Sequence, residues 1–229
     1  ESIWGLLIVL FIAMVVVSQF MLTFGSDPNA KVTKKSKSPL SFHPIALIFG
    51  LLSFVSYLVE GAVGDWSALY LFEDKGIVIE EAVMGVMLFN GTMCIGRLLG
   101  NRLGKHLTSK QVVVGGYLLG SIAMGLIVFL PGHASMYTYL LLGISLAMIV
   151  PNLFSAMGEQ NVIPMTQAVA TSTMLGYMGI LMGPALIGFI AHGTSLTVAF
   201  IVLTALLVVS AGTGKYAYML MDKSKEAEA

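Results

Sequence analysis

Two carboxylic acids, Glu60 and Asp65, lie inside a long apolar stretch of the sequence. Charged side chains are costly in such surroundings, so those found there usually have a function. At about 100° per residue, Glu60 shares one helix face with small and polar residues, namely Ser53, Ser56, Tyr57, Gly64 and Ser67. Such a face lines a water-filled cavity or contacts another helix. Glu60 is therefore interpreted as a proton or solute site, with a carboxyl bonded only for helix packing as the alternative.

The apolar stretch around Glu60 contains no lysine or arginine. Counting residues from the ends of the other apolar stretches also finds no basic residue at the depth of Glu60. We therefore expect a partner cation to come from outside this chain, or Glu60 to be neutral. Asp65 lies off the Glu60 face, beside Trp66. It is interpreted as a solute-binding residue, or else as an anchor at the helix end.

Four further polar side chains are candidates for binding a solute. Asn90 lies in another apolar stretch, and Asn152 follows Pro151, which interrupts helices. Asn152 faces a cavity in one interpretation and makes an interhelical hydrogen bond in the other. Tyr57 and Tyr177 are suited to stacking on a sugar or an amphipathic ligand, although both are equally suited to plain packing.

The elements that carry these residues are apolar enough to cross a membrane. Hydrophobic residues make up 57% of the 229 residues, charged residues make up 10%, and the mean hydropathy is +0.89. A soluble domain could not bury this much apolar surface, so a soluble enzyme, a disordered chain and a nucleic-acid binder are excluded. Seven stretches are long enough for a transmembrane helix, namely residues 3–24, 44–72, 82–100, 111–130, 135–158, 167–191 and 196–218.

Basic residues predict the orientation of these spans. Eleven of the twelve lysines and arginines fall on one side of the membrane, and only Lys75 falls on the other. The positive-inside rule then places the N-terminus outside and the C-terminus in the cytoplasm. We predict a lone transmembrane helix at 1–25, a basic cytoplasmic linker at 26–43, a six-helix bundle at 44–218 and a cytoplasmic tail at 219–229.

Residue types that serve catalysis or metal binding are sparse. Cys94 is the single cysteine, and the four histidines are scattered near span ends. Neither a metal-ligand set nor a cofactor motif is found, so no metal and no cofactor is expected. No nucleophile and base lie at matched depth, which argues against an enzyme. Because the chain begins at Glu1 without an initiator methionine, it is interpreted as a mature product or a fragment.

Four stretches resemble segments of a known transporter family, the major facilitator superfamily. The match is to its C-terminal half, preceded by the sixth span, in the bacterial fucose-permease-like and YbjJ-like branch. Glu60–Leu71 is similar to the seventh helix, Gly96–Lys105 to the motif A loop between helices eight and nine, Pro151–Ser155 to helix ten, and Gly176–Gly188 to the glycine-proline stretch of helix eleven.

The resemblance implies an all-α integral membrane protein of about seven transmembrane helices, six of which form the C-terminal bundle of this superfamily. It implies a secondary active transporter that moves a small polar solute, with a sugar slightly favoured, across the bacterial inner membrane by alternating access. Proton coupling through Glu60 is the leading hypothesis. Arg97, Asn101 and Arg102 correspond to the gating loop, although Asn101 stands where an acidic residue is usual.

Such a chain has half of a transport cavity, so the expected partners include the missing N-terminal half or a second copy. The solute, protons and the lipid bilayer are the other expected partners, and nucleic acid is not. The alternative function is a non-transporting membrane interaction protein or sensor built on the same helices. In that case, Glu60 would tolerate substitution.

Overall fold

The computed structural model describes residues 42–103, 107–160 and 162–228, residue 40, and positions 8, 11, 12, 14–16 and 19. It divides the chain into two compact units, Glu1–Lys37 and Ser38–Ala229. In the first unit, the described positions of the predicted first span are helical. The rest of that span and nearly all of the predicted linker lie outside the described residues, so these two segments remain predictions.

The second unit consists of helices throughout its described part. They are α1 (Pro44–Glu73), α2 (Ile79–Leu103), α3 (Ser109–Phe129), α4 (Gly132–Leu146), α5 (Ile149–Glu159), α6 (Met165–Gly193) and α7 (Leu196–Glu228). Because α4 and α5 together make one span, these helices provide six segments that are long and apolar enough to cross a membrane. The all-helical membrane fold and six of the seven predicted spans are thus confirmed. The helix of α7 extends well beyond Tyr218, where the predicted bundle ended.

Helix α1 forms the centre of the bundle. Pro44 occupies its first turn, where a missing N–H costs nothing, and the His43 side chain accepts a hydrogen bond from the Ile45 N–H. Of the six spans, α1 has the largest buried share, 61% of its apolar window, against 22% for α6 and 28% for α2. It packs most extensively against α6 and also contacts α2 and α7. The remaining surface of α2 and α6 is free to face lipid or another protein surface.

Tyr117 of α3 ties that helix to α1. Its ring is fully buried, and its hydroxyl donates to the Leu52 carbonyl at 2.7 Å and lies 2.8 Å from the Ser56 hydroxyl. Two of the small polar positions on the predicted α1 stripe, Ser53 and Ser56, are therefore buried in helix contacts rather than in a cavity. Ser53 donates to the Phe49 carbonyl of its own helix.

Replacing Tyr117 with phenylalanine is expected to destabilise the bundle by about 2 kcal/mol, because the Leu52 carbonyl then loses a donor and the Ser56 hydroxyl loses an acceptor. Thermal unfolding of the purified protein in detergent would measure the loss. The matched control is Tyr216→Phe, because the Tyr216 side chain is exposed. Equal stability of the two variants would show that the Tyr117 hydroxyl contributes nothing.

The span formed by α4 and α5 is interrupted at Ala147 and Met148. Pro151 has no N–H to bond the Ala147 carbonyl, and its ring crowds that carbonyl, so the helix breaks one turn before the proline. Asn152 stabilises the break, since its side-chain amide donates to the Met148 carbonyl at 2.8 Å. Sequence reasoning predicted an interruption beside Asn152, and the structure places it four to five residues earlier.

The turn between α1 and α2 is fixed to the ends of two other helices. The Lys75 ammonium donates to the Val128 carbonyl at the end of α3 and lies 5.3 Å from the centre of the Tyr70 ring. Burial lowers the pKa of Lys75, and the neighbouring Asp74 carboxylate opposes that shift. Asp74 itself accepts a hydrogen bond from Thr197 at the start of α7. The turn therefore fixes the adjoining ends of α1 and α2 to the end of α3 and the start of α7.

Candidate functional site

Glu60 and Arg97 form an ion pair between α1 and α2. One terminal guanidinium nitrogen of Arg97, Nη2, donates to Oε1 of Glu60 at 3.2 Å and to Oε2 at 3.4 Å. The Glu60 side chain is 13% exposed and that of Arg97 is 45% exposed. The carboxylate is thus held within the bundle, while the guanidinium reaches it from an open face.

This pair corrects the prediction that Glu60 has no cation at its depth in this chain. Glu60 lies thirteen residues before the end of α1, about 20 Å along the helix, and Arg97 lies about 27 Å from the start of α2. Helical side chains lean toward the N-terminus of their own helix. Because α1 and α2 run in opposite directions, the two side chains lean toward each other. This makes up for the difference in depth between the Cα atoms of Glu60 and Arg97. Counting Cα depths alone could not find the contact.

Tyr57 and Tyr177 meet each other beside this pair. Their rings are nearly parallel, at an interplanar angle of 7°, with centroids 6.0 Å apart. Tyr57 lies one turn before Glu60 on α1, within electrostatic range of Glu60 and Arg97. Tyr177 extends from α6 and is 59% exposed. The structure therefore brings four of the predicted residues, from three helices, into one cluster, which we call the Glu60 cluster: Tyr57, Glu60, Arg97 and Tyr177.

Three other candidates lie outside the Glu60 cluster. Asp65 is exposed on α1 and has no hydrogen bond or ion pair to any described residue. Asn90 is exposed on α2, where its amide donates to the Val86 carbonyl of the same helix. Asn152 lines a separate cavity of about 290 Å³ between α3 and the broken span. Its observed hydrogen bond supports the helix interruption rather than a contact between helices.

The predicted gating loop is largely helical. Arg97 lies within α2, six residues before that helix ends, so it is not part of a loop. The backbone at Asn101 and Arg102 is also helical, whereas the side chains of both residues lie outside the described part of the chain. Residues 104–106 are not described either. A gating role for Asn101 and Arg102 therefore stays a prediction.

One face of α2 extends the open surface around the Glu60 cluster. Asn90, Cys94 and Arg97 follow at intervals of four and three residues, so they share this face, and all three are exposed. A Cβ atom added at Gly64 of α1 or at Gly91 of α2 would meet no atom within 4 Å. The cluster thus combines an acid, a base and an aromatic pair beside open space. Chemically, a carboxylate can take up a proton, a guanidinium can pair with an anionic group, and a tyrosine ring can stack on another ring.

Known proteins share both the sequence and the fold. The chain is 40% identical over 172 residues to an uncharacterised MFS-type transporter of Yersinia pestis, covering 74% of this chain and 44% of that protein. It is 31% identical to membrane protein MosC of Rhizobium meliloti, covering 72% and 41% respectively. The fold matches the crystal structure of the E. coli fucose:proton symporter FucP with a TM-score of 0.66 at 16% identity, covering 76% and 42%.

No protein-family model matches the chain. The chain spans less than half of the length of each of these three proteins. Their similarity nevertheless covers about three quarters of the chain and agrees with six membrane-spanning helices. Sequence and fold together show that the chain matches the C-terminal half of membrane transporters of the major facilitator superfamily.

Proposed function

We propose that the chain provides half of a secondary active transporter that carries a small polar solute together with a proton. The missing N-terminal half, or a second copy of the chain, completes the cavity. Glu60 is the proton-binding residue, and Tyr57 and Tyr177 bind the solute. The transporter works by alternating access in the bacterial inner membrane, with the N-terminus of the chain outside and the C-terminus in the cytoplasm. The basic residues at the cytoplasmic ends of the spans support this orientation.

The observation that carries the proposal is the Glu60–Arg97 ion pair in the middle of apolar helices. Withdrawing the Glu60 carboxylate from water has a large desolvation cost, so the presence of this charge beside an open face indicates a role beyond packing. The E. coli fucose:proton symporter, whose name gives a proton as its coupled ion, has a similar fold over 76% of this chain. This similarity supports proton coupling.

Replacing Glu60 with glutamine is expected to abolish proton-driven uptake and to leave the protein folded, since glutamine keeps the shape but cannot exchange a proton. The measurement uses proteoliposomes containing the full-length protein that carries this chain, with an imposed pH gradient. Labelled neutral sugars, sugar acids and amino sugars are the test solutes. At least a hundredfold loss of gradient-driven uptake is expected, since a proton-transferring side chain typically contributes about 10²–10⁴-fold.

Glu73→Gln is the matched control, because Glu73 lies on the same helix but at its exposed end. It should transport like the unmodified protein. Uptake by the Glu60→Gln variant that still followed the pH gradient would exclude Glu60 as the coupling residue. If the unmodified protein moved none of these solutes, the non-transporting interaction protein would become the better explanation.

A further inference from the structure

We infer that the transported solute is a monoanion, and that its carboxylate replaces Glu60 as the partner of Arg97 when Glu60 takes up a proton. This inference rests on the proposed function and identifies the class of its solute. It also assigns Arg97 to solute binding rather than to gating. The chemical class is a small polar acid, such as a sugar acid, that crosses the membrane with one proton.

The geometry of the ion pair leaves most of the guanidinium available. Arginine has five N–H donors arranged in a planar fork that matches a carboxylate. Arg97 uses only Nη2 toward Glu60, and both contacts exceed 3.1 Å, whereas strong charge-assisted bonds lie near 2.7–2.9 Å. No further hydrogen bond joins Arg97 to the described residues. Nη1 and Nε are therefore free to bind a second carboxylate from the exposed side.

The charges in the Glu60 cluster explain why proton and solute would move together. With Glu60 ionised and no solute bound, the negative charge of Glu60 and the positive charge of Arg97 cancel. With Glu60 protonated and a monoanion on Arg97, the site is neutral again. Proton without anion leaves an unpaired positive charge, and anion without proton leaves an extra negative charge. Both unbalanced states are costly between apolar helices, so each ligand favours binding of the other.

The groups around Glu60 fit this exchange. Tyr57 on α1 and Tyr177 on α6 are the other titratable residues of the cluster, and Arg97 on α2 is its cation. Cys94 lies one turn before Arg97 on the same exposed face and is a free thiol. Asp65, the other acid within α1, is exposed and unpaired among the described residues. Glu60 is thus the carboxylate that competes with a solute for Arg97.

Thermal stabilisation of the purified full-length protein tests the inference. The probes are D-glucuronate, D-glucose and D-glucosamine, which share a sugar ring but carry a negative, zero and positive charge, each at equal ionic strength. D-glucuronate should bind about tenfold more tightly at pH 5.5 than at pH 7.5, because low pH protonates Glu60. D-glucose and D-glucosamine should bind more weakly at both pH values.

Two variants separate the roles of the paired residues. Glu60→Gln imitates the protonated acid, so its affinity for D-glucuronate should be high at both pH values. Arg97→Lys keeps the charge but loses the fork, and about tenfold weaker binding is expected. The inference is overturned if D-glucuronate fails to stabilise the protein, or if its affinity for the unmodified protein does not change with pH. Tighter binding of the neutral or amino sugar overturns it as well.

Transport then distinguishes failure of this inference from failure of the proposed function. Uptake of D-glucuronate with one proton moves no net charge, so a pH gradient should drive it and a membrane potential should not. If a pH gradient instead drives uptake of D-glucose or D-glucosamine, the inference that the solute is an anion is wrong. Proton-coupled transport would still be supported. If a pH gradient drives none of the three sugars, the proposed function itself fails.

Discussion

Replacing Gly179 with leucine is expected to prevent the bundle from folding. A Cβ atom at Gly179 of α6 would overlap the Phe54 carbonyl of α1, and one at Gly183 would lie 2.6 Å from the Leu58 oxygen. The obstacles are backbone atoms, which cannot turn aside as a side chain can. Each such overpacking that shifts backbone typically costs about 1–3 kcal/mol and occasionally more, and a leucine adds three further carbons beyond Cβ. Since α1 and α6 form the most extensive helix contact, their separation removes much of the bundle.

Size-exclusion chromatography of the variants in mild detergent would measure this effect as loss of the monodisperse peak. Gly212→Leu is the matched control, because Gly212 is exposed on α7 and a Cβ there meets no atom within 4 Å. The control should fold normally and face lipid. A folded, equally heat-stable Gly179→Leu protein would contradict the close approach of α1 and α6.

The second large effect is expected when Arg97 alone is replaced with methionine. Glu60 would remain in an apolar environment without its cation, and removing one partner of a buried pair costs about 3–5 kcal/mol. Since Arg97 is nearly half exposed, part of that cost is relieved by water, and about 2 kcal/mol is expected. The double variant Glu60→Gln/Arg97→Met carries no charge at either position, so it should recover most of the lost stability.

Unfolding titrations of the two single variants and the double variant give the interaction free energy between the positions directly. Lys110→Met serves as the control, because Lys110 pairs with Asp222 at 3.7 Å where both side chains are well exposed. Its loss should change the unfolding free energy by less than about 1 kcal/mol. If the losses of the two single variants simply added in the double variant, the ion pair would have no energetic role.

Sequence patterns predict the membrane fold better than they predict the side-chain contacts within it. Apolar stretches of sufficient length locate α1, α3 and α7 to within a few residues at their starts, because a membrane span needs a continuous apolar segment. The glycine-proline stretch likewise falls within α6, where the close packing against α1 is observed. The end of α7 was missed, because a polar helix extending beyond a membrane lacks the apolar signal.

The Glu60 cluster was predicted as separate residues rather than as an assembled site. Sequence alone indicates that Glu60 and Tyr57 share a face, since both lie on one helix. It does not indicate which face of α2 turns toward them, because this depends on helix tilt and rotation. The spacing of Asn90, Cys94 and Arg97 was the available signal. Combined with the direction in which helical side chains lean, it would have placed Arg97 near Glu60.

Asn152 illustrates a different limit of sequence reasoning. A polar residue beside a proline in an apolar helix fits a cavity and a helix contact equally well. Its observed bond to Met148 is local, and such a bond to a backbone carbonyl one turn earlier leaves no trace in residue spacing. In the structure Asn152 makes this local bond and also lines the cavity between α3 and the broken span.

The interruption at Ala147 and Met148 has a mechanical consequence for the whole span. In a continuous helix, bending stretches backbone hydrogen bonds, so the rod resists flexing along its length. Here Pro151 has already removed the bond that the Ala147 carbonyl would have accepted, whereas the Met148 carbonyl accepts both the backbone N–H of Asn152 at 3.2 Å and its side-chain amide at 2.8 Å. The span therefore behaves as two rigid helical segments joined by a hinge. A change of tilt between α4 and α5 would concentrate at these two residues and leave both segments intact.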